Sequence, residues 1–309
     1  MAIRLGLSLP QMRQYDIGRD VPDVARAAEE TGYQSLWVFE RILFPEPAGQ
    51  GLYGIPGLPW PDQYRSVADP LVTLTLAAGA TRRARLGTSV LVAPLHVPFQ
   101  LARQLATLDA ASGGRVVAGL GTGWSLDEYA AAAVAPFARR GKVLDELIDV
   151  CRAVWGPDPV AYEGELTTIA PSEVGPKPKG PLPILLPANS PRALRRLVDR
   201  ADGWMPVGTG AEQLAAQWKR LQELAAERGR EEPVQSVLRV NTEHTGTPYE
   251  GSGRRPFQGS VAQIVEDLAA HAAVGVEEIL IDLQGHARDA EELKDLAAEV
   301  YTAARAAGV

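Results

Sequence analysis

"ARLGTSVLVAPLHVPFQLARQLATLDAASGGRVVAGL", residues 84–120, is the stretch whose reading decides the fold. It opens on a short apolar run, 84–92, that stops at Pro94. Residues 98–112 then carry Leu101, Leu105, Leu108 and Ser112 at helical spacing, and the Gly113–Gly114 pair ends that pattern. A second apolar run, 114–120, follows at once. Strand, helix and strand in so few residues make a βαβ unit, whose parallel strands are covered on both faces and therefore read as continuous apolar runs. One detail resists that reading. Gly87, Thr88 and Ser89 sit in the middle of the first strand, where Val or Ile would pack better.

The unit recurs along the whole chain. Strands are expected at 3–9, 35–39, 84–92, 114–120, 182–187, 203–207, 234–242 and 276–283, each followed by a helical pattern. Asp69–Pro70 and Ser190–Pro191 have the chemistry of an N-cap and a first-turn proline, and Gly32, Gly229 and Gly275 stand where helices stop. Eight such units in 309 residues predict an α/β fold, a single-domain (β/α)8 TIM barrel spanning 1–309. The first βα turn, "SLPQMRQYD", lacks the glycines that open a doubly wound dinucleotide-binding sheet. Two insertions interrupt the repeat. After strand two, residues 41–68 are rich in glycine and proline and hold Phe44, Tyr53, Trp60 and Tyr64, the composition of a packed lid. Before strand five, residues 156–181 read as a surface connector in which "VAYEGELTTI" can form a hairpin.

Composition narrows the function classes. A net charge of -7, with basic residues only in short groups, argues against a nucleic-acid partner. No apolar run approaches the roughly 20 residues of a membrane span. The single cysteine, Cys151, lies on an amphipathic pattern and reads as a core residue; with no disulfide possible within the chain, the cytoplasm is the expected compartment. The four histidines are far apart, with no metal-ligand spacing and no nucleophile-elbow glycines around a serine, so no metal site is expected.

Active sites of such barrels gather at the C-terminal ends of the strands. Ser8, Gln11, Glu40, Arg41, Ser89, His96, Asn241 and Asp282 are placed there by the strand boundaries. "GLGTGW" (119–124) leaves strand four with three glycines, which let backbone N–H groups approach a phosphate. "PANSPRAL" (187–194) puts Ala188, Asn189 and Ser190 at a helix N-terminus, a second anion-binding feature on the neighbouring strand end. Each alone is most simply a turn or a cap; together they suggest one phosphate held between them.

Four blocks, "AEETGYQSLWVFER", residues 69–124, "ADGWMP" and "GSVAQIVEDLAAHAAVGVEEILI", resemble the bacterial luciferase-like flavin monooxygenase superfamily, and most nearly its coenzyme F420-dependent oxidoreductase branch. The resemblance implies an enzyme that moves a hydride between the deazaflavin F420 and a small organic substrate. It also implies a strand-three bulge with a non-prolyl cis peptide behind the ring, here at Ser89–Val90. Ser8, Glu40, Ser89 and Val90 would then touch the ring, while Thr122, Gly123, Trp124, Ala188, Asn189 and Ser190 would take the phosphate and flank the ring. Where F420-dependent dehydrogenases of this superfamily often carry Asp-His, this chain has Glu40–Arg41, and His96 stands in place of a usual arginine. Glu40, Arg41 and His96 are accordingly the candidate catalytic residues. A reduced-FMN-dependent luciferase-like monooxygenase and a flavin-binding barrel without turnover are the alternatives, and a homodimer is implied by analogy alone.

Overall fold

The computed structural model describes residues 3–309. Eight parallel strands stand where the periodicity puts them: Arg4–Ser8, Ser35–Val38, Arg85–Thr88 continued by Leu91–Val92, Val116–Gly121, Ile184–Leu186, Gly203–Trp204, Gln235–Asn241 and Glu278–Asp282. Each pairs with its sequence neighbours, and strand one pairs with strand eight (Arg4 opposite Glu278), so the sheet closes on itself. The fold is a (β/α)8 barrel, with helices outside.

Strand periodicity divides the core in two. Trp37, Val117, Leu185, Met205, Val237 and Leu280 point inward from six strands and fill the barrel, with Val90 packed against them. Their neighbours in sequence, such as Leu36, Val116 and Ile279, point outward into the larger core beneath the helices. Trp37 dictates part of the opening puzzle. A Cβ on Gly87 would lie 2.2 Å from the Trp37 ring, and one on Gly6 2.7 Å from its Nε1. The indole therefore spans space that only glycine leaves open on both adjoining strands. Its N–H donates to Ser35 Oγ at 2.7 Å and to Glu278 Oε1 at 3.1 Å, so this buried polar group is satisfied.

Strand three is broken after Thr88, and the Ser89–Val90 peptide is cis, as the resemblance implies. Side chains replace the ladder at the break. Thr88 Oγ1 donates to Gly119 O at 2.8 Å and accepts from Gly119 N at 2.9 Å. A Cβ on Gly119 would fall 1.9 Å from Thr88 O, so this contact needs glycine as well.

The two insertions differ in kind. The 156–181 segment forms an antiparallel hairpin, Val160–Glu163 against Thr168–Ser172. The buried Glu146 carboxylate accepts from the amides of Glu165, Leu166 and Thr167 at its turn. Residues 41–68 have only two short 3-10 turns, Leu52–Gly54 and Asp62–Arg65, yet they are docked. Gly49 N donates to Asp127, the Gln50 amide bridges Trp124 O and Leu126 N, and Trp60 Nε1 donates to Gln50 O at 3.1 Å. The loop thereby covers the mouth of the barrel beside the end of strand four. Gln11 holds its far end, donating to Phe39 O and Ala68 O while accepting from Phe39 N.

Candidate active site

A cavity of about 980 Å³ opens at the C-terminal ends of the strands, between the 41–68 loop and the starts of the fourth, fifth and sixth βα connections. Of the residues singled out in the sequence, Glu40, Arg41, Ser89, Val90, Thr122, Gly123, Trp124, Ala188, Asn189 and Ser190 line it. Ser8 and His96 do not. Ser8 is buried in the first strand, and His96 stands behind Glu40.

The floor is the broken third strand. Val90 packs so closely on Gly121 that a Cβ there would sit 2.6 Å from its methyl group. Gly123 has φ +65° beneath Val92, and the Tyr129 hydroxyl donates to Thr122 O, fixing the turn. Across from it Ser190 caps the helix Pro191–Arg200, accepting from Ala193 N at 3.3 Å. Backbone groups at these two strand ends frame a slot that side chains leave open. The slot is flanked by cations that no sequence motif had joined. Arg139, Arg140, Lys142, Arg192 and Arg196 all line this end, and Arg196 Nη2 donates to Gly141 O across the seam. Arg196 is neutralised by Asp145 at 2.5 Å and Arg139 pairs with Glu165; Arg140, which packs on the Phe137 ring, Lys142 and Arg192 have no carboxylate partner among the described residues. Three lining residues, Arg41, Trp204 and Thr209, also hold buried polar atoms without a protein partner. A planar group on Val90 with an anionic extension toward Ser190 fits this donor set.

Beneath the loop the wall is aromatic. Trp124 packs on Tyr53 (5.6 Å between centroids) and Trp60 (5.3 Å); the Tyr53 and Tyr64 hydroxyls meet at 3.5 Å, and Tyr64 packs on Phe39 at 5.4 Å. Burial, aided by Tyr53, raises the Tyr64 phenol well above its ordinary range, so it stays an uncharged hydroxyl.

Three charged groups face the chamber. Glu40 accepts from Val92 N at 2.5 Å and meets His96 Nε2 at 2.8 Å. Burial opposes protonation of His96, but its hydrogen bond to Glu40 and that carboxylate's charge prevail and raise its pKa above the ordinary 6.5. Arg41 lies over the rings of Trp124 (4.8 Å) and Trp60 (5.4 Å) and donates to Glu128 at 3.0 Å. Burial raises the Glu128 carboxyl, and the Arg41 charge and Ile42 amide only partly offset it. The third group, Arg239, was not found in the sequence. It rises from strand seven, donates to both Ser89 O and Ser89 Oγ, and pairs with Asp282 at 2.8 Å. It thus grips the carbonyl of the cis peptide itself.

Elsewhere, His271 is an interior residue whose ring nitrogens meet Asp267 O and Thr209 O. Burial pushes the Cys151 thiol up to about 12, so it is inert core. Among the described residues, no helix is long and apolar enough to cross a membrane.

Fold and cavity together define a (β/α)8 barrel whose ligand site lies at the C-terminal strand ends. The chain belongs to the luciferase-like monooxygenase family, whose family model matches residues 6–242. An uncharacterized protein of Mycobacterium tuberculosis is 32% identical over 269 residues, 86% of this chain and 87% of the relative. An F420-dependent glucose-6-phosphate dehydrogenase of Kineococcus radiotolerans is 30% identical over 185 residues, 59% of this chain and 50% of that protein. The solved structure of an F420-dependent secondary alcohol dehydrogenase, in complex with an F420–acetone adduct, superposes with a TM-score of 0.77 at 17% identity, covering 99% of this chain and 100% of that one.

Proposed function

We propose that the protein is an F420-dependent oxidoreductase acting on a small organic substrate, a homodimer of the cytoplasm. The observation that carries the cofactor choice is the run of cations beyond the Thr122–Gly123 and Ala188–Ser190 turns. FMN ends at its phosphate, whereas F420 continues past its phosphate into a chain of carboxylates. Lys142 and Arg192, uncompensated at that end of the cavity, suit the longer anion. The names of the dehydrogenase relative and of the structural neighbour support the same reading.

In this reading Ser89 and Val90 back the ring, Trp124 flanks it, and Thr122, Gly123, Ala188, Asn189 and Ser190 hold the phosphate. When bound, the deazaflavin supplies two-electron hydride chemistry. The chain supplies the rest. Glu40 faces the chamber and can give or take a proton at the substrate, with His96 behind it as its hydrogen-bonded reservoir. Arg41 cannot act as a base; packed against two indoles and tied to Glu128, it orients the 41–68 loop over the site. That loop excludes water from the reacting atoms. Ser8, one layer below the cavity, supports the ring floor rather than touching a ligand.

A reduced-FMN monooxygenase is the second reading, favoured by the family's own description. Fluorescence titration with F420 and with FMN separates the two. F420 is expected to bind more tightly, and the double substitution Lys142→Ala/Arg192→Ala to weaken F420 about tenfold or more while leaving FMN nearly unchanged. Tighter FMN binding selects the second reading, and quenching by neither removes both.

A further inference from the structure

Every charged group that faces the substrate end of the cavity is already paired, each arginine with a carboxylate and Glu40 with a histidine. Glu40, Arg41 and Arg239 line the chamber. Behind them stand His96 at 2.8 Å, Glu128 at 3.0 Å and Asp282 at 2.8 Å. None of the six side chains is more than 21% exposed, so these pairs are weakly screened by water. The remaining wall is aromatic: Phe39, Tyr53, Tyr64 and Trp124. The cations without a carboxylate partner, Arg140, Lys142 and Arg192, lie at the other end, beside Ser190 and Gly141.

We infer that the substrate is an electrically neutral molecule with an apolar or aromatic body, bearing one hydroxyl group to donate to Glu40 or one carbonyl to accept from the Tyr53 or Tyr64 hydroxyl, and not a sugar phosphate or carboxylate. This rests on the cofactor occupying the cationic end, as in the reading above. An anion entering the chamber would lose its hydration and find both guanidinium charges already balanced by carboxylates, with the buried Arg41 Nε–H left unpartnered and the Glu40 carboxylate beside it. A cation would find Glu40 held by His96 and would face Arg41 and Arg239. A neutral ketone or alcohol loses little hydration, stacks on the aromatic wall and still finds hydroxyl and carboxylate partners for one polar group.

The test is calorimetric binding to F420-saturated protein, free of any turnover requirement. The probes are cyclohexanone and acetophenone against cyclohexanecarboxylate, benzoate and glucose 6-phosphate. The neutral members are expected to bind, and each anion to bind at least about tenfold more weakly. Glu128→Gln, which releases Arg41, is expected to strengthen carboxylate binding relative to ketone binding; Asp282→Asn, releasing Arg239, provides the same test should the first variant not fold. An anion that binds the unaltered protein as tightly as its neutral partner overturns the inference, as does failure of every neutral probe to bind or an unchanged preference in both variants. Should F420 itself not bind, the same titrations on cofactor-free Lys142→Ala/Arg192→Ala protein decide the matter separately. A preference for neutral probes there upholds the substrate class while the cofactor reading falls.

Discussion

Arg239 shows what a single residue can hide in a sequence. Mid-strand, between Leu238 and Val240, it reads as an arginine on a solvent face, and its partners Ser89 and Asp282 are 150 and 43 positions away. Only the barrel closure brings them to one point. Glu40 and His96 were easier to find, because strand ends are where this architecture gathers chemistry, but their mutual contact across 56 positions was not legible either. The Arg239 pair also makes a prediction about stability. Replacing Arg239 with Met leaves Asp282 buried without a counter-ion and Ser89 O without its donor, at a cost of about 3–5 kcal/mol. Removing both charges, Arg239→Met with Asp282→Asn, is expected to restore a large part of that loss. Urea denaturation of the two single variants and the double variant forms the cycle; strictly additive losses would show that the pair is not coupled.

Strands and helices were the most legible scale, since their periods follow from backbone geometry alone. Seven barrel strands fall within the expected runs and the fourth, Val116–Gly121, overruns its run by one residue; the helix Pro98–Ser112 begins and ends on the expected residues. The hairpin in the 156–181 insertion begins on the expected Val160 but runs to Ser172, three residues beyond the expected end. The docking of the 41–68 loop was not legible: its ties to Trp124, Leu126 and Asp127 join positions more than 70 residues apart and follow no period. Strand three lies between these cases. Its glycine and hydroxyls announced an irregular strand, and the reason emerges from its neighbours: Gly87 yields to Trp37, Thr88 replaces the ladder toward Gly119, and Ser89 answers Arg239. The role given to Thr88 can be checked. Thr88→Val keeps the shape but removes the hydroxyl that both donates to and accepts from Gly119, leaving a buried N–H and C=O unpaired. The expected cost is about 1–3 kcal/mol in chemical denaturation, whereas Thr88→Ser is expected to retain most of the stability. Equal losses in both variants would mean that packing of the methyl group, not the hydrogen bonds, is what matters.

At the scale of the whole molecule, charge and apolar surface are distributed unevenly, and each unevenness has a use. The chain is acidic overall, yet five basic residues border one end of the cavity, three of them without a carboxylate partner among the described residues, so the proposed anionic cofactor would be drawn to one place on a surface that otherwise repels it. The apolar asymmetry concerns the second helix, Pro70–Ala80, which has no charged side chain. An ordinary barrel helix buries one face and turns a polar face to water. This one buries Thr73, Leu74 and Ala77 but leaves Val72 57% exposed, and Val97, at the start of the neighbouring helix Pro98–Ser112, is 48% exposed. Two valines opening adjacent helices, with threonine and alanine between them and water, form a surface that a second copy of the chain would cover through a two-fold axis. The proposed homodimer therefore predicts a specific dependence. Sedimentation should give twice the 33.1 kDa chain mass, and Val72→Glu should shift the protein toward the monomer with its circular dichroism spectrum unchanged. The cavity lies at the strand ends and is lined by this one chain, so F420 affinity should survive the substitution within about twofold. A monomer at every concentration would leave the apolar helix without the role assigned to it, and a Val72→Glu protein that remains dimeric would move the interface to another face.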